Sequence, residues 1–152
     1  MAIFKQGENS CYFIHIPRTG GRFFQETLIK NNWEMVFDNF YQTPTKLYEG
    51  IELRYLHANL YKKWSKVKDI PHFAIVRDPF ERFVSASKFL ITNMELRNIE
   101  TKKLYDQKEF NYILDAFTYH IEDTMPLNLF RPQVEFVTSD TNIWKSENGL
   151  DE

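Results

Sequence analysis

A pair of glycines between two arginines lies near the start of the chain, in the stretch IHIPRTGGRF at residues 14–23. Glycines allow a ligand to approach the backbone closely, and the N–H groups that begin a helix attract negative charge. Arg18 and Arg22 add fixed positive charge, and the hydroxyl of Thr19 can donate a hydrogen bond. These residue types favour a phosphate or sulfate ligand over a neutral one. The alternative is a plain strand-to-helix turn whose arginines are solvated.

A second stretch suited to an anion, AIVRDPFERFVSAS, covers residues 74–87. Asp78 and Glu81 form a capping box that starts a helix, with Arg77 just before it and Ser85 about two turns along. Arg77 and Ser85 are therefore predicted to reach one anion. The alternative is that Arg77 pairs with Asp78 or Glu81 and that Ser85 only packs. Two anion sites at successive strand ends are what a nucleotide with phosphates at two separate positions needs.

Strand and helix signals alternate along the chain, which predicts an α/β layered domain with a central parallel sheet. Apolar and β-branched runs predict strands at residues 11–16, 33–37 and 72–76. Helical spacing predicts helices at residues 22–30, 45–66, 79–94 and 108–122. The tail at residues 133–144 is predicted to be irregular, with one or two short strands. Both anion-suited stretches follow strands, at the edge of the sheet where such domains bind ligands.

Composition limits the class of protein. A chain of 152 residues with 43% hydrophobic content buries one core, so we expect a single domain over residues 1–152. A net charge of -2 argues against a general nucleic-acid partner. The single cysteine, Cys11, excludes an internal disulfide framework and a Cys-rich zinc site. Without a signal-like N-terminus or an apolar run of about 18 residues, the chain is expected to be cytoplasmic, with no membrane partner.

The two stretches together resemble a known family, the sulfotransferases that use 3′-phosphoadenylylsulfate (PAPS), and especially their carbohydrate-modifying branch. FIHIPRTGGRFF is similar to the family's 5′-phosphosulfate loop, usually FxHIPKTGGTS, and AIVRDPFERFVSAS is similar to its 3′-phosphate motif, RDPxxRxxSxY. Weaker similarities are LRYLHANLYKKW between the motifs, then LFRPQVEFV and NIWKSENGL downstream. The resemblance implies a three-layer, P-loop-NTPase-like sulfotransferase fold.

By this resemblance the chain binds PAPS and releases adenosine 3′,5′-bisphosphate, without a metal. The 3′-phosphate is expected at Arg77 and Ser85. The residues expected around the 5′-phosphosulfate follow one another in the first stretch: Arg18, Thr19, Gly20, Gly21, Arg22 and Phe23. The family has lysine where this chain has Arg18, and small hydroxyl residues where it has Arg22 and Phe23. Arginine keeps the charge but presents a planar fork instead of a compact ammonium.

The expected reaction is in-line transfer of a sulfuryl group to a hydroxyl or amine of an acceptor, with a carbohydrate implied by the resemblance. Arg18 would stabilise the leaving phosphate, and His57 would accept the proton of the acceptor. The alternative for His57 is a polar residue on a helix surface. Glu26 is the reserve base, with a solvated helix face as its alternative, and His15 is expected to be a packed core residue.

Two other functions stay open. One is a module that binds PAPS or its product without transferring sulfate. The other is a kinase, against which GxxxxGK[ST] is absent and no magnesium site is evident. The absence of any signal or anchor is unlike the Golgi enzymes of the carbohydrate branch, so the expected relatives are microbial or viral. The sequence indicates neither the acceptor nor the oligomeric state.

Overall fold

Five strands form one mixed sheet in the computed structural model, which describes residues 2–38, 47–48, 51–97 and 128–149. Their bounds are β1 Ala2–Gln6, β2 Asn9–Ile14, β3 Glu34–Asp38, β6 His72–Val76 and β7 Thr141–Lys145. Across the sheet these strands run in the order β3-β1-β2-β6-β7. β2, β6 and β7 are parallel, as expected, whereas β1 pairs antiparallel with both β2 and β3. The sheet is therefore parallel only in the part that carries the two anion-suited stretches.

The antiparallel part begins with a hairpin that the sequence analysis missed. β1 and β2 are joined by a two-residue turn, Gly7 and Glu8, and Gly7 has a φ of 59°. Glycine adopts this left-handed conformation without the steric cost that a Cβ brings. β1 was missed because only its first three residues are apolar; these are buried and its last two are exposed.

Two helices follow the parallel strands where they were predicted. α1 covers Gly21–Lys30 and α3 covers Pro79–Arg97. α3 begins with the predicted cap, since Asp78 Oδ1 accepts a hydrogen bond from the Glu81 amide at 2.9 Å. The reciprocal bond of the capping box comes from elsewhere: Glu147 Oε1 accepts the Asp78 amide, while Glu81 pairs with Arg77. The predicted helix at 108–122 lies outside the described residues.

The prediction of one helix over residues 45–66 is wrong. The described residues there form β4 Leu47–Tyr48, β5 Ile51–Glu52, a 3₁₀ turn Leu53–Tyr55 and a four-residue helix, α2 Ala58–Tyr61. Ile51 and Glu52 are both buried, which a one-faced surface helix does not allow. Packing against the sheet therefore overrode the helical spacing of the apolar residues. A second 3₁₀ turn covers Ser65–Val67.

Both faces of the sheet are covered at its central strands. On one face, Phe24 and Leu28 of α1 pack against a cluster that includes Phe13 and Ile75. On the other face, apolar residues from 51–67 and from the tail pack against the alternate strand residues. The fully buried large side chains of this cluster are Tyr12, Ile14, Ile16, Ile51, Leu56, Tyr61, Val67 and Phe136. The tail contains one short strand, β7, in agreement with the prediction of one or two. A 3₁₀ turn, Gln133–Glu135, precedes β7, and a further 3₁₀ turn, Ser146–Asn148, follows it.

The strand and helix order and the covered sheet show an α/β fold. Within the described ranges, no helix has both the length and the apolar character needed to cross a bilayer.

Candidate anion-binding site

The first loop, residues 15–20, connects β2 to α1 and turns sharply. Arg18 has a φ of 67° and Gly20, the residue that caps α1, has a φ of 87°, so both lie in the left-handed region. The Thr19 hydroxyl donates to the Ile16 carbonyl at 2.9 Å, and the Thr19 side chain is buried. This hydrogen bond shapes the loop, and the expected bond from the hydroxyl to an anion stays a prediction.

Gly21 allows His15 to pack against the start of α1. A Cβ on Gly21 would lie 2.6 Å from both Cδ2 and Nε2 of His15, which is far inside van der Waals contact. The His15 ring also contacts Tyr55 edge-on, with ring centroids 5.2 Å apart. Burial first, and then the N-terminus, Arg54 and Arg22, hold the pKa of His15 well below its usual value, so the imidazole is neutral at neutral pH. His15 is buried, as expected.

Arg18 joins the first loop to α3. Its Nε donates to Ser85 Oγ at 3.1 Å, and its guanidinium carbon lies 4.8 Å from the centre of the Phe89 ring. Ser85 thus does more than pack, because its hydroxyl orients an arginine from the other anion-suited stretch. The structure brings the two stretches into direct contact, as their positions after parallel strands predicted.

Arg77, at the end of β6, forms one set of contacts through its side chain and another through its backbone. Its side chain pairs with Glu81 one turn along α3, with 3.0 Å between Nη2 and Oε2, which is the alternative considered from the sequence. Its backbone is held by Gln133, whose Oε1 accepts the Arg77 amide at 3.0 Å and whose Nε2 donates to the Arg77 carbonyl at 2.7 Å. The Pro-Gln element of the tail therefore fixes the peptide at the end of β6.

A cavity of about 520 Å³ lies where the two stretches meet. Its lining includes seven of the predicted site residues: Arg18, Gly20, Gly21, Arg22, Phe23, Arg77 and Ser85. Also in the lining are His15, Arg54, Tyr55, Phe89 and Leu129. Among these lining residues there are four arginines and no Asp or Glu. The cavity is therefore a concentration of positive charge in a chain whose net charge is -2.

The arginines of this cavity affect one another. Burial first lowers the pKa of Arg18, and repulsion from Arg77 and Arg22 lowers it further, while Tyr55 acts in the opposite direction. The Tyr55 pKa is raised by burial, and the charges of Arg54, Arg18 and Arg22 oppose that rise. An anion bound here would relieve the repulsion between the guanidinium groups.

A second cavity of about 440 Å³ shares Arg18, Arg77 and Ser85 with the first and extends along α3. The rest of its lining comes from α3: Phe80, Glu81, Val84 and Lys88. Lys88 was not predicted as a site residue, although it follows Ser85 by three positions, the spacing that puts two helical residues on one face. The exposed Phe80 ring forms the apolar end of this cavity.

His57 is outside the linings of both cavities. It is the residue before α2, it is 9% exposed, and its carbonyl accepts the amides of Leu60 and Tyr61 at 3.0 and 3.2 Å. Neither His57 nor the exposed Glu26 of α1 is among the described residues that line the two cavities. His57 is buried, so it is not the solvated helix-surface residue considered as its alternative.

The segment that carries His57 supplies two other residues instead. Arg54 and Tyr55 enter the cavity from the 3₁₀ turn, and the Arg54 guanidinium pairs with Glu52 and lies 5.1 Å from the Tyr55 ring centre. Neither residue has a local signal in the sequence, because the apolar spacing of the segment predicts a helix and not the turn that presents them. In the part of the chain that the structure describes, no group of three or more His, Cys, Asp or Glu side chains is arranged to hold a metal ion.

Comparison with known proteins identifies the family but no individual relative. Neither the curated proteins nor the solved structures include a significant match to the chain. A family model, described as the sulfotransferase family, matches residues 2–145. That match includes both anion-suited stretches and every residue of the two cavities. The chain belongs to the sulfotransferase family.

Proposed function

We propose that the chain transfers a sulfuryl group from PAPS to a hydroxyl or amine of an acceptor, with a carbohydrate as the acceptor class that the sequence resemblance favours. Membership of the sulfotransferase family supports sulfuryl transfer in general. The observation that carries the choice of donor is the Arg18–Ser85 contact of 3.1 Å, which places two anion-suited stretches around one arginine-lined cavity. PAPS carries anionic groups at two positions of one nucleotide, and this cavity has cations from two loops.

In this proposal the first loop holds the 5′-phosphosulfate and the end of β6 holds the 3′-phosphate. Arg77 and Ser85 bind the 3′-phosphate. The first loop and the start of α1 contribute Arg18, Thr19, Gly20, Gly21, Arg22 and Phe23. Thr19 acts through the shape of the loop, because its hydroxyl proton is bound to Ile16. The first-turn N–H groups of α1 point toward the same ligand, since they have no partner within the helix.

The residues of the first loop would stabilise the charge that develops during transfer. The bond from sulfur to the bridging oxygen breaks, and the electron pair goes to the departing phosphate. Arg18 and the N-terminus of α1 stabilise that charge, while a new bond forms from sulfur to the acceptor oxygen or nitrogen. The proton of the acceptor goes to a base, for which His57 is the proposed residue. This chemistry needs no metal.

A second candidate function is binding of the nucleotide without transfer. The observation in its favour is the position of His57, which is not among the described residues that line the cavities. A protein whose anion site is intact but whose proposed base does not reach the acceptor would bind PAPS or adenosine 3′,5′-bisphosphate and transfer nothing.

The donor is tested by isothermal titration with adenosine 3′,5′-bisphosphate and, separately, with ATP and magnesium. We expect the bisphosphate to bind and ATP to bind at least about tenfold more weakly, a difference of about 1.4 kcal/mol. Arg18→Ala should weaken bisphosphate binding, because it removes a charge from both cavities. Lys62→Ala, which removes an exposed charge outside both linings, is the matched control. Preferential binding of ATP would contradict the proposal.

Transfer is tested with PAPS labelled in its sulfate group and a panel of glycans, phenols and amines. Label in an acceptor supports the enzyme, whereas binding of the bisphosphate with no transfer supports the binding module. His57→Ala should lower turnover and leave the affinity for the bisphosphate unchanged. Equal turnover in the variant and the parent chain would remove His57 as the base.

A further inference from the structure

Arg82 is a buried cation whose side-chain hydrogen bonds in the described structure all go to backbone oxygens. It lies on α3 and is 6% exposed. Its Nε donates to the Pro17 carbonyl at 2.9 Å, its Nη2 to Leu129 at 2.9 Å and its Nη1 to Arg131 at 3.0 Å. Within the described ranges, no carboxylate forms an ion pair with it. Burial lowers the pKa of Arg82 to about 10, so the side chain still carries its proton at neutral pH.

Burying this charge costs free energy, and its three hydrogen bonds offset part of that cost. The position of the hydrogen-bond partners therefore indicates what the buried charge does. Each of the three carbonyls belongs to irregular backbone, and two of the residues are connected with the proposed nucleotide cavity, one by its place in the chain and one by its place in the lining. Pro17 immediately precedes Arg18, and Leu129 is part of the cavity lining. The hydrogen bonds of Arg82 therefore go to segments around the proposed ligand site and not to the core of the fold.

The first loop is held from α3 at two successive points. Arg82 binds the carbonyl of Pro17, and Ser85, three residues further along the same helix face, accepts from Arg18. Between these two contacts the backbone enters the left-handed conformation of Arg18, with a φ of 67°. A non-glycine residue keeps such a conformation only when its surroundings hold it there.

We infer that Arg82 is a positioning residue that holds the first loop in the shape that receives the 5′ end of the nucleotide. The inference rests on the proposed function. A lysine cannot replace Arg82, because one ammonium is a point charge, whereas the guanidinium fork reaches three carbonyls at fixed directions. Loss of the fork frees the Pro17 peptide and, with it, the direction of the Arg18 side chain. The contacts of Arg77 with Glu81 and Gln133 do not involve Arg82 and are expected to persist.

The experiment compares two ligands, adenosine 3′,5′-bisphosphate and adenosine 3′-monophosphate, by isothermal titration against the full chain and Arg82→Lys. Only the first ligand reaches the first loop with a phosphate. We expect Arg82→Lys to weaken binding of the bisphosphate by at least about tenfold, which is about 1.4 kcal/mol. Its affinity for the monophosphate should change by less than about twofold. Added guanidinium ion should restore part of the lost bisphosphate affinity in Arg82→Ala.

The matched control is Tyr61→Phe, which removes another buried hydrogen bond to backbone, from the Tyr61 hydroxyl to the Phe136 carbonyl at 2.9 Å. This variant should lower the melting temperature without changing the ratio of the two affinities. Three results would overturn the inference: an equal loss for both ligands in Arg82→Lys, no loss for either, or failure of both Arg82 variants to fold. The last result would show that Arg82 stabilises the fold as a whole. Absence of bisphosphate binding to the unaltered chain would instead contradict the proposed function.

Discussion

At the scale of single residues, the first loop combines a strained backbone with close packing. Arg18 has a left-handed φ of 67°, a conformation that costs about 1–3 kcal/mol in a residue other than glycine. Contacts made by its neighbours, from Pro17 to Arg82 and from Thr19 to Ile16, hold this conformation. The strained residue is also the one that contacts Ser85 and enters both cavities. The strain therefore lies where the ligand is proposed to bind.

Gly21→Ala should destabilise the chain by about 1–3 kcal/mol, the usual cost of adding a methyl group to a packed interior. The new Cβ would lie 2.6 Å from two atoms of the buried His15 ring, which is also in contact with Tyr55. The free energy of unfolding in urea is the measurement.

A double-mutant cycle with His15→Ala provides the control for Gly21→Ala, because the smaller side chain removes the atoms that clash. In that background the cost of Gly21→Ala should disappear. If Gly21→Ala alone changes the free energy of unfolding by less than about 0.5 kcal/mol, the range typical of an unconstrained surface site, His15 does not restrict this position.

At the scale of elements, the end of β6 and the start of α3 are held by residues far away in the chain. Gln133, from the turn before β7, forms two hydrogen bonds with the backbone of Arg77 at the end of β6. Glu147, after β7, accepts the amide of the next residue, Asp78. The edge strand β7 thus brings with it the side chains that fix the start of α3. Loss of either contact would loosen the strand end that carries Arg77.

Gln133→Glu should lower the free energy of unfolding by about 1–3 kcal/mol and weaken binding of adenosine 3′,5′-bisphosphate. The carboxylate keeps the acceptor for the Arg77 amide but loses the donor to its carbonyl, and two oxygens then face each other. Gln6→Glu is the matched control, since Gln6 also donates to a carbonyl, that of Asn31, at an exposed site. If both variants lose the same free energy of unfolding, the contact with Arg77 stabilises the chain no more than an exposed hydrogen bond does.

Elements whose signal is local could be predicted from the sequence. β6 and α1 have apolar patterns and boundaries set within a few residues, and α3 begins at a cap formed by Asp78 and Glu81. The two stretches that meet in the cavity were found for the same reason, since glycines and arginines after a strand are visible in one short segment.

Features that depend on tertiary contacts could not be predicted. The segment at 51–67 has helical spacing, but its apolar residues are buried against the sheet in turns and one short helix. Its contribution of Arg54 and Tyr55 to the cavity follows from that packing. The same holds for Gln133 and Arg82, whose partners are 56 and 65 residues away in the chain. Polar residues of this kind are identified only from the folded structure, which brings the two partners together.

At the scale of the whole molecule, positive charge is concentrated in a chain that is slightly acidic overall. The net charge is -2, yet Arg18, Arg22, Arg54 and Arg77 line one cavity of about 520 Å³. Partial burial keeps part of this charge from the solvent ions that screen exposed groups. We therefore expect the molecule to bind a small anion with several charges and not a long polyanion.

Salt dependence should separate these two kinds of binding. Raising NaCl from about 0.1 M to about 1 M shortens the Debye length from about 10 Å to about 3 Å. This change should weaken the binding of adenosine 3′,5′-bisphosphate severalfold, because ionic contacts are proposed to hold its phosphates. Arg18→Ala should show a shallower dependence, since one cation no longer takes part. Duplex DNA should show no binding at the lower salt concentration. Isothermal titration measures the first two effects and fluorescence anisotropy the third. An affinity for the bisphosphate that is independent of salt would mean that the arginines do not contact its phosphates, and binding of DNA would show that the positive charge extends beyond the cavity.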